Sequence, residues 1–360
     1  MITLFIFLAI LGTLILVHEF GHFIAAKRLG VKIERFSIGF GPRLFKKKKG
    51  DTEYCLSLIP LGGFVKLAGD NLAEYKGKKY EYFSRPPGQR AQIIFAGSLF
   101  NYILGFLCFW IIFFSGYPTL TSRVGGLVDG FGAKGAGLRI GDEITAVDGR
   151  KVASWEELQN IILDRKAEEM VRLAVLRGSR EFNVKVSLKE KQFDDVLGQK
   201  QKVGLLGITP DLENTVYVRY GFFKSFLLGI NKTVVLTQLT YKGLWRMITG
   251  KIAVRDSAAG PLGIFFITSK VARQGMPALL NFIGIISVSL ALFNLLPLPV
   301  LDGGHILFLV IEKLRGKALS IKCEHIITQI GLTLIISLFL FVTYNDIMRI
   351  FGSKIIGFLK

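Results

Sequence analysis

The sequence has few of the residues that build disulfide frameworks or acidic surfaces. Its three cysteines, Cys55, Cys108 and Cys323, stand far apart and form no Cys-X-X-Cys pair, which excludes a disulfide framework. Only 27 Asp and Glu residues oppose 46 Lys and Arg residues, giving a formal net charge of +19. We find no RNA-binding signature and no helix-turn-helix pattern, so nucleic acid is a poor explanation for this charge. A membrane topology explains it better.

Long apolar runs are what the chain has in abundance. Apolar residues make up 51% of it and the mean hydropathy is +0.45, higher than in soluble domains. Residues 1–26, 91–116, 278–304 and 326–351 each contain close to the roughly 20 apolar residues that a membrane-spanning helix needs. The first stretch has no basic residue ahead of its apolar run and contains a His-Glu pair, so we interpret it as a span rather than a signal peptide. The predicted fold class is an α-helical polytopic membrane protein with four transmembrane helices.

Basic residues predict how these spans are oriented. Lysines and arginines are concentrated in residues 27–90, between the first and second spans, and in residues 313–322, between the third and fourth. By the positive-inside rule, both loops are cytoplasmic. Both termini and the long segment 116–277 are then predicted to lie outside the cytoplasm.

Residues 122–210 have the pattern of a small soluble domain. Apolar and polar residues alternate over 171–176 and 182–188, as in β-strands. Ser154 and Glu157 form a capping-box pattern at the start of one predicted helix. This arrangement, together with the run Gly-Asp-Glu-Ile-Thr-Ala-Val-Asp-Gly, resembles an inserted α+β PDZ domain. Another small α+β domain is the alternative.

Residues 211–277 contain an apolar stretch that polar side chains interrupt. The interrupting residues are Lys224, Asn231, Lys232, Gln238, Lys242 and Arg246. So many polar groups are unfavourable on a lipid-facing span. We therefore predict amphipathic helices in the membrane interface, with a helix packed on the outer domain as the alternative.

Two of the four histidines in the chain lie in the first span, in the sequence His18-Glu19-Phe20-Gly21-His22. Residues at i and i+4 of a helix share a face, about 6 Å apart along the axis. Two imidazoles so placed can bind one zinc ion, with Glu19 beside them as a general base. A chance match is the alternative, but a Glu and two His inside an apolar helix are costly unless they are paired or functional.

A hydrolytic zinc site usually has a third protein ligand, and the end of the third span offers one. The segment Asn-Leu-Leu-Pro-Leu-Pro-Val-Leu-Asp-Gly-Gly begins at Asn294, contains Pro297 and Pro299, and places Asp302 near its end. The prolines would interrupt the helix and leave backbone groups free. Such irregular backbone is tolerated at membrane depth where it lines a cavity. The alternative is a plain helix-to-loop exit with Asp302 as a cap.

These motifs together resemble the site-two protease family, and within it the bacterial regulator of sigma-E protease subgroup in a single-PDZ form. The resemblance covers essentially the whole chain. Its further segments are Leu-Ile-Pro-Leu-Gly-Gly-Phe-Val-Lys-Leu-Ala-Gly, Phe-Ala-Gly-Ser-Leu-Phe-Asn-Tyr-Ile-Leu-Gly-Phe and Ala-Gly-Pro-Leu-Gly-Ile.

The resemblance implies an intramembrane zinc metalloprotease that cuts transmembrane segments of single-pass proteins, such as anti-sigma factors or remnant signal peptides. It implies a Zn²⁺ ion bound by His18, His22 and Asp302, with Glu19 as base. It also implies that Asn294, Pro297 and Pro299 shape the substrate site. The implied location is the bacterial inner membrane, with the active site toward the cytoplasm, membrane lipid as a partner, and a PDZ domain that binds substrate tails or gates access.

The segment 54–69 has a physical interpretation of its own. It is apolar and holds Pro60, Gly62 and Gly63, so it could form a membrane-associated β-hairpin that reaches toward the active site. An exposed strand edge there could pair with an unwound substrate, with Gly62 and Gly63 at the contact. An ordinary cytoplasmic hairpin that covers its own apolar face is the alternative.

Two other classes of protein fit parts of the sequence. A membrane metal transporter could use the His, Glu and Asp residues as a transit site, but an inserted PDZ-like domain and a one-turn His-Glu-X-X-His motif argue against it. A catalytically silent scaffold could bind tails through its PDZ-like domain, but the intact Glu19 argues against that.

Overall fold

A computed structural model describes residues 2–166, 168–194, 200–253, 260–317 and 319–358. The chain divides into two compact units, one made of Met1–Trp110 and Gly229–Lys360 and the other of Ile111–Leu228. The helices are α1 (Ile2–Arg28), α2 (Pro87–Ser115), α3 (Gly132–Gly135), α4 (Trp155–Leu163), α5 (Phe222–Ile248), α6 (Pro261–Ala272), α7 (Met276–Asn294), α8 (Asp302–Arg315) and α9 (Ile321–Phe358).

The strands fall into a long ribbon near the N-terminus and a group of short strands in the second unit. The ribbon strands are β1 (Ile33–Lys49) and β2 (Thr52–Leu67). The others are β3 (Tyr117–Leu120), β4 (Val124–Leu127), β5 (Glu143–Val147), β6 (Arg150–Lys151), β7 (Met170–Arg177), β8 (Arg180–Ser187), β9 (Lys189–Asp194), β10 (Lys200–Leu205), β11 (Ile208–Pro210) and β12 (Thr215–Val218).

Four helical segments of the described chain are long and apolar enough to cross a membrane. They are Ile2–Arg28, Pro87–Ser115, Met276–Asn294 and Lys322–Ile350. Their number confirms the predicted fold class. Their side chains are mostly exposed to the surroundings of the protein, as lipid-facing helices require.

The third span differs from its predicted bounds. The sequence predicts one transmembrane unit over 278–304, but α7 ends at Asn294 and a separate helix begins at Asp302. The two prolines between them have no backbone N–H, and each disfavours a helical residue before it. Val300 adopts a positive φ of 86°, which also breaks the helix.

The ribbon of β1 and β2 is folded back on itself. Ile38 pairs with Leu56 on one side and with Gly63 on the other, so the first part of β1 lies between two parts of β2. Residues 63–67 form an outer row, and no strand of the described chain pairs with its far side. The sequence predicts a hairpin over 54–69; the structure extends it, because residues 33–49 supply the partner strand.

Apolar packing joins this ribbon to the first two long helices. Phe23 and Ala26 of α1, Ile33 and Phe36 of β1, and Ile93 of α2 form one buried cluster. Each is less than 10% exposed, and burying such side chains contributes roughly 1.5–3 kcal/mol apiece for the larger ones. The cluster holds the cytoplasm-facing end predicted for α1 against the sheet.

The second unit contains the predicted α+β insert. Its main sheet has the antiparallel order β6-β5-β7-β8, and alternate residues of β5, β7 and β8 form a core with α4. Ser154 caps α4 by accepting a hydrogen bond from the Glu157 amide at 3.3 Å. One capped helix packed on a small antiparallel sheet is the PDZ-like arrangement that the sequence predicts.

Residues 211–277 contain both strand and helix. The prediction of amphipathic helices omits β12, which pairs with β3 through Thr215 and Leu120. The helix α5 packs on α2, where the Tyr102 hydroxyl lies 3.0 Å from Thr237 Oγ1. Whether α5 lies in the membrane interface stays a prediction.

Candidate metal centre

The first two helices touch closely where the His-Glu-X-X-His motif lies. A Cβ atom at Gly21 would stand 2.3 Å from the Ala96 carbonyl oxygen, so only glycine permits this approach. One residue further, His22 Nδ1 donates to the Ile93 carbonyl oxygen at 2.9 Å. That bond fixes the imidazole and leaves its Nε2 atom free as a ligand.

Three ligand atoms converge on one point. His18 Nε2 and His22 Nε2 are 3.2 Å apart, and they lie 3.3 and 3.7 Å from Asp302 Oδ2. Tetrahedral zinc with bonds of about 2.1 Å has ligand atoms about 3.4 Å apart, so these separations fit a single ion. Two imidazole lone pairs and a carboxylate oxygen repel one another unless a cation lies between them. The described residues contain one such cluster of three potential ligands.

Asp302 reaches the histidines because α8 begins under the loop that precedes it. A Cβ at Gly303 would lie 2.3 Å from the carbonyl oxygens of Leu295 and Leu296. A Cβ at Gly304 would lie 2.2 Å from the carbonyl oxygen of Leu298. The two glycines thus let the first turn of α8 fit against this loop.

The sequence analysis missed two residues of α2 that shape the site. A Cβ at Gly97 would stand 2.4 Å from His22 Nε2 and 2.9 Å from His18 Cε1. The next residue, Ser98, donates its hydroxyl to Asp302 Oδ2 at 3.3 Å. Both lie in the segment Phe-Ala-Gly-Ser-Leu-Phe-Asn-Tyr-Ile-Leu-Gly-Phe that resembles the protease subgroup, but their residue types assign them no role, and their place opposite α1 does.

Glu19 lies beside the outer row of the ribbon. A Cβ at Gly63 would be 3.2 Å from Glu19 Cγ and 3.3 Å from Ile15 Cγ2. Gly62 is covered instead by the Phe40 ring, whose nearest carbon would be 1.8 Å from an added Cβ. The structure therefore brings Gly63, and through it the edge of the sheet, next to the predicted base.

The remaining predicted residues lie around the connection between α7 and α8. Asn294 is the last residue of α7, Pro297 is exposed, and Pro299 touches α9, where a Cβ at Gly331 would be 2.6 Å from its Cβ. Within the described part of the chain, no hydrogen bond joins Asn294 to His18, His22 or Asp302.

Comparison with known proteins identifies the family. The sequence model of peptidase family M50 matches residues 6–338. The chain belongs to peptidase family M50. This membership confirms the resemblance drawn from the sequence motifs, and with the four apolar helices it makes the chain a membrane peptidase.

Full-length relatives support the same assignment. The chain is 30% identical to zinc metalloprotease RasP of Geobacillus kaustophilus (strain HTA426), and the alignment covers 96% of this chain and 97% of that protein. It is 28% identical to regulator of sigma-W protease RasP of Bacillus subtilis (strain 168), over 97% and 99% of the two chains. It is 29% identical to regulator of sigma-E protease RseP of Escherichia coli (strain K12), over 96% and 98%.

Proposed function

We propose that this M50 peptidase is a zinc enzyme that hydrolyses peptide bonds inside the membrane-spanning segments of other proteins. The observation that carries the proposal is the convergence of His18, His22 and Asp302 beside Glu19, on helices long enough to cross a membrane. The zinc assignment is supported by the fit of the three ligand atoms to a tetrahedral ion and by the names of the relatives.

The side chains around the metal have separable tasks. When bound, zinc would polarise the scissile carbonyl and make a water molecule more acidic. Glu19 accepts the proton of the attacking water and returns it to the leaving amine. The Ile93 carbonyl keeps His22 oriented, and Ser98 does the same for Asp302.

The edge of the ribbon offers a way to hold the substrate. A helical peptide bond is shielded and hydrogen-bonded within its own helix, so the substrate must unwind before hydrolysis. Within the described residues, no strand pairs with the far side of the outer row 63–67, where the Leu67 amide donates to Asp70 Oδ2, and Gly63 lies against Glu19. An unwound segment that pairs with this edge would be presented to the base. We place Gly63 at this contact; Gly62, the other predicted residue, is covered by the Phe40 ring.

The loop after α7 completes the substrate site in this proposal. Asn294 supplies an amide that can bind the developing oxyanion or the substrate backbone. Pro297 and Pro299 keep residues 295–301 out of helical conformation, which leaves backbone groups free to face the substrate.

The basic loops and the family resemblance support a specific setting. We infer that the substrates are single-pass proteins, either an anti-sigma factor already trimmed outside the membrane or a remnant signal peptide. The chain would lie in a bacterial inner membrane with both termini outside and the metal centre toward the cytoplasm. The PDZ-like domain would bind substrate tails or gate their access.

Cleavage of a single-span protein by purified enzyme tests the proposal. We expect cleavage by the intact enzyme, none after chelation, and recovery on adding zinc. Glu19→Gln should abolish cleavage and keep bound zinc, because only the proton acceptor is lost. His325→Ala is the control, since it removes an exposed imidazole that hydrogen-bonds Gln329. Chelator-resistant cleavage, or full activity of the Glu19→Gln variant, would contradict a zinc peptidase; metal transport without cleavage would indicate the transporter class.

A further inference from the structure

One buried polar side chain near the metal centre is left without a role by the mechanism above. Asn101 lies at the middle of α2, and the residue is 0% exposed. Among the residues that the structure describes, neither its amide nitrogen nor its amide oxygen has a hydrogen-bond partner. A buried amide with both groups unpaired is strongly unfavourable, so a partner that the protein alone does not supply is expected.

The position of Asn101 on α2 puts it next to the site. Gly97 and Ser98, which contact the imidazoles and Asp302, lie four and three residues earlier in the same helix. Side chains at these spacings share one helical face and are separated by about 4.5–6 Å along the axis. Asn101 is therefore one turn beyond two residues that touch the metal ligands.

Helix packing does not account for the amide. The close contact between α2 and α7 is made by other atoms: Ser287 Oγ donates to the Asn101 carbonyl oxygen at 2.7 Å. One turn further, a Cβ at Gly105 would meet the Gly284 carbonyl oxygen at 2.9 Å. These contacts use the Asn101 backbone and small residues, so an apolar side chain would serve the packing better than an amide.

The chemistry of the amide indicates its ligand. A carboxamide presents one donor and one acceptor in a plane, which matches the N–H and C=O of an extended peptide backbone. An unwound substrate segment in apolar surroundings exposes such groups and has no water to satisfy them. We propose that Asn101 is a substrate-binding residue that hydrogen-bonds the backbone of the unwound segment beside the metal centre.

This inference rests on the proposed peptidase function, and it requires the site to open when the substrate binds. The neighbouring ligand side chains are already partly reachable, with exposures of 12%, 15% and 17% for His18, His22 and Asp302. Asn101 lies one helical turn along α2 from Gly97 and Ser98, so the substrate backbone must reach one turn beyond the metal centre.

Binding of a defined peptide to inactive enzyme tests the proposal without depending on cleavage. The probe is a fluorescent synthetic span of about 30 apolar residues with a Gly-Pro pair at its centre, and the protein is the full chain carrying Glu19→Gln. Adding Asn101→Leu, which replaces the amide by an apolar side chain of similar size, should weaken probe binding at least about tenfold. Zinc content should be unchanged, and the melting temperature should not fall, because the variant removes an unpaired buried amide.

Two comparisons separate substrate contact from a structural role. A continuous leucine span, which cannot unwind easily, should lose little affinity from Asn101→Leu, because it presents no free backbone groups. Thr343→Val is the matched control: it removes another buried hydroxyl without a partner, on α9, and should leave probe binding unchanged.

The outcomes are distinct from those of the proposed function. If the Asn101→Leu variant binds the probe with the central Gly-Pro pair as tightly as the Glu19→Gln protein does, a trapped water satisfies the amide and the proposal is wrong. Loss of zinc or of folding in Asn101→Leu would also overturn it, in favour of a structural role. If Asn101→Leu weakens probe binding but the unsubstituted protein cleaves no substrate, the proposed peptidase function is wrong and Asn101 is still a peptide-binding residue.

Discussion

At the scale of single residues, small side chains on α2 matter as much as the proposed metal ligands. Two imidazoles approach α2 at Gly97 so closely that no other side chain fits. The ligands can be recognised from a motif, but the space that they need is provided by a helix about 70 residues later, as the contact between His22 and Ile93 shows. A substitution at Gly97 therefore tests the geometry of the site without removing any of the side chains proposed to bind metal or to act as base.

Gly97→Ala should prevent metal binding. The added Cβ would collide with His22 Nε2, the atom proposed to bind zinc, and the helical backbone around it cannot move away without separating α1 from α2. We expect zinc content, measured by mass spectrometry of the purified protein, to fall to background and cleavage to fall with it.

The control for this variant is Gly88→Ala, in the first turn of the same helix, where an added Cβ meets nothing within 4 Å. Because alanine favours a helix over glycine, Gly88→Ala should keep zinc and activity. Full zinc content in Gly97→Ala would show that the imidazoles do not adopt this arrangement in the working enzyme.

Ser98→Ala should give a graded effect rather than an abrupt one. Its hydroxyl orients Asp302 through one hydrogen bond at 3.3 Å, and loss of such an outer contact typically lowers metal affinity by about 10- to 100-fold. We expect zinc to be lost at a lower chelator concentration than in the parent enzyme, with full activity restored by excess zinc. Activity that excess zinc cannot restore would mean that Ser98 acts on the substrate instead.

At the scale of elements, the proposed role of the ribbon of β1 and β2 can be tested by a single substitution beside Glu19. Gly63→Ala keeps the strand but adds a Cβ 2.9 Å from the Ser37 carbonyl oxygen and 3.2 Å from Glu19 Cγ. We expect cleavage to fall at least about tenfold, since a misplaced base costs about that factor or more, with zinc content unchanged.

Gly12→Ala on α1 serves as the control for the ribbon variant, because an added Cβ there meets nothing within 4 Å. Measuring kcat and KM separately distinguishes two effects in Gly63→Ala: displacement of Glu19 lowers kcat, and a blocked strand edge raises KM. Unchanged values for both would remove the ribbon edge from the substrate site.

The sequence predicted elements well where one pattern dominated. Long apolar runs gave the four helices, and Ser154 with Glu157 gave the start of α4. The break after Asn294 was suspected from two prolines, yet the new helix at Asp302 was not, because its start depends on Gly303 and Gly304 fitting under a loop. That fit depends on the conformation of the loop between the two helices, which local sequence patterns do not report.

The site divides in the same way. His18, Glu19 and His22 belong to one turn of helix, so their spacing predicts their arrangement directly. The proline-interrupted end of the third span predicts Asp302 as a third ligand, with a helix cap as the alternative, and the family resemblance implies the same ligand. In the structure, Asp302 Oδ2 lies 3.3 Å from His18 Nε2. The partners on α2 act through a carbonyl, a hydroxyl and the absence of a side chain. Gly97 and Ser98 lie in a segment that resembles the protease subgroup, but their residue types do not indicate these roles.

The PDZ-like domain contains a buried ion pair with a predictable pH dependence. Arg177 donates to both carboxylate oxygens of Asp142 at 2.7 and 2.8 Å, and the Arg139 amide donates at 2.8 Å. Burial alone would raise the pKa of Asp142, but these hydrogen bonds outweigh it and hold the pKa below its ordinary value. Because the pKa of Asp142 is lower in the folded state, its ionised form stabilises the domain at every pH above the unfolded-state pKa of about 3.9. This stabilisation is lost as the pH falls through the folded-state pKa.

Asp142→Asn should therefore destabilise the domain by about 2–3 kcal/mol near neutral pH and by much less once the pH falls below the lowered folded-state pKa of Asp142. Hydrogen exchange of the β7 amides in the full-length protein measures this, after correction for the intrinsic pH dependence of exchange. Asp164→Asn, at an exposed carboxylate of the same domain, should change little at either pH. If Asp142→Asn destabilises the domain equally at both pH values, the negative charge of Asp142 does not contribute to its stability.

At the scale of the whole molecule, the proposed chemistry and the PDZ-like domain belong to different units. His18, His22, Asp302 and their partners on α2 all lie in the unit of Met1–Trp110 and Gly229–Lys360. The other unit supplies none of the three proposed ligands. Its first and last strands are paired, with Tyr117 opposite Val218 and Leu120 opposite Thr215. Because Leu120 and Thr215 are paired, the two ends of the segment between them are adjacent, and a short turn can replace that segment.

This pairing permits a deletion that tests the division of labour. Replacing residues 121–214 by Asn-Gly would join β3 to β12 as a hairpin with a two-residue turn, the connection that an antiparallel pair favours. We expect the shortened enzyme to bind zinc and to cut a substrate whose outer part has already been trimmed. We also expect it to cut some untrimmed substrates that the intact enzyme rejects, because a filter has been removed. Comparing both substrates in both enzymes, after zinc content and folding are checked, gives the measurement. If the zinc-loaded, shortened enzyme cuts neither substrate, the PDZ-like domain is part of the catalytic architecture and not a filter.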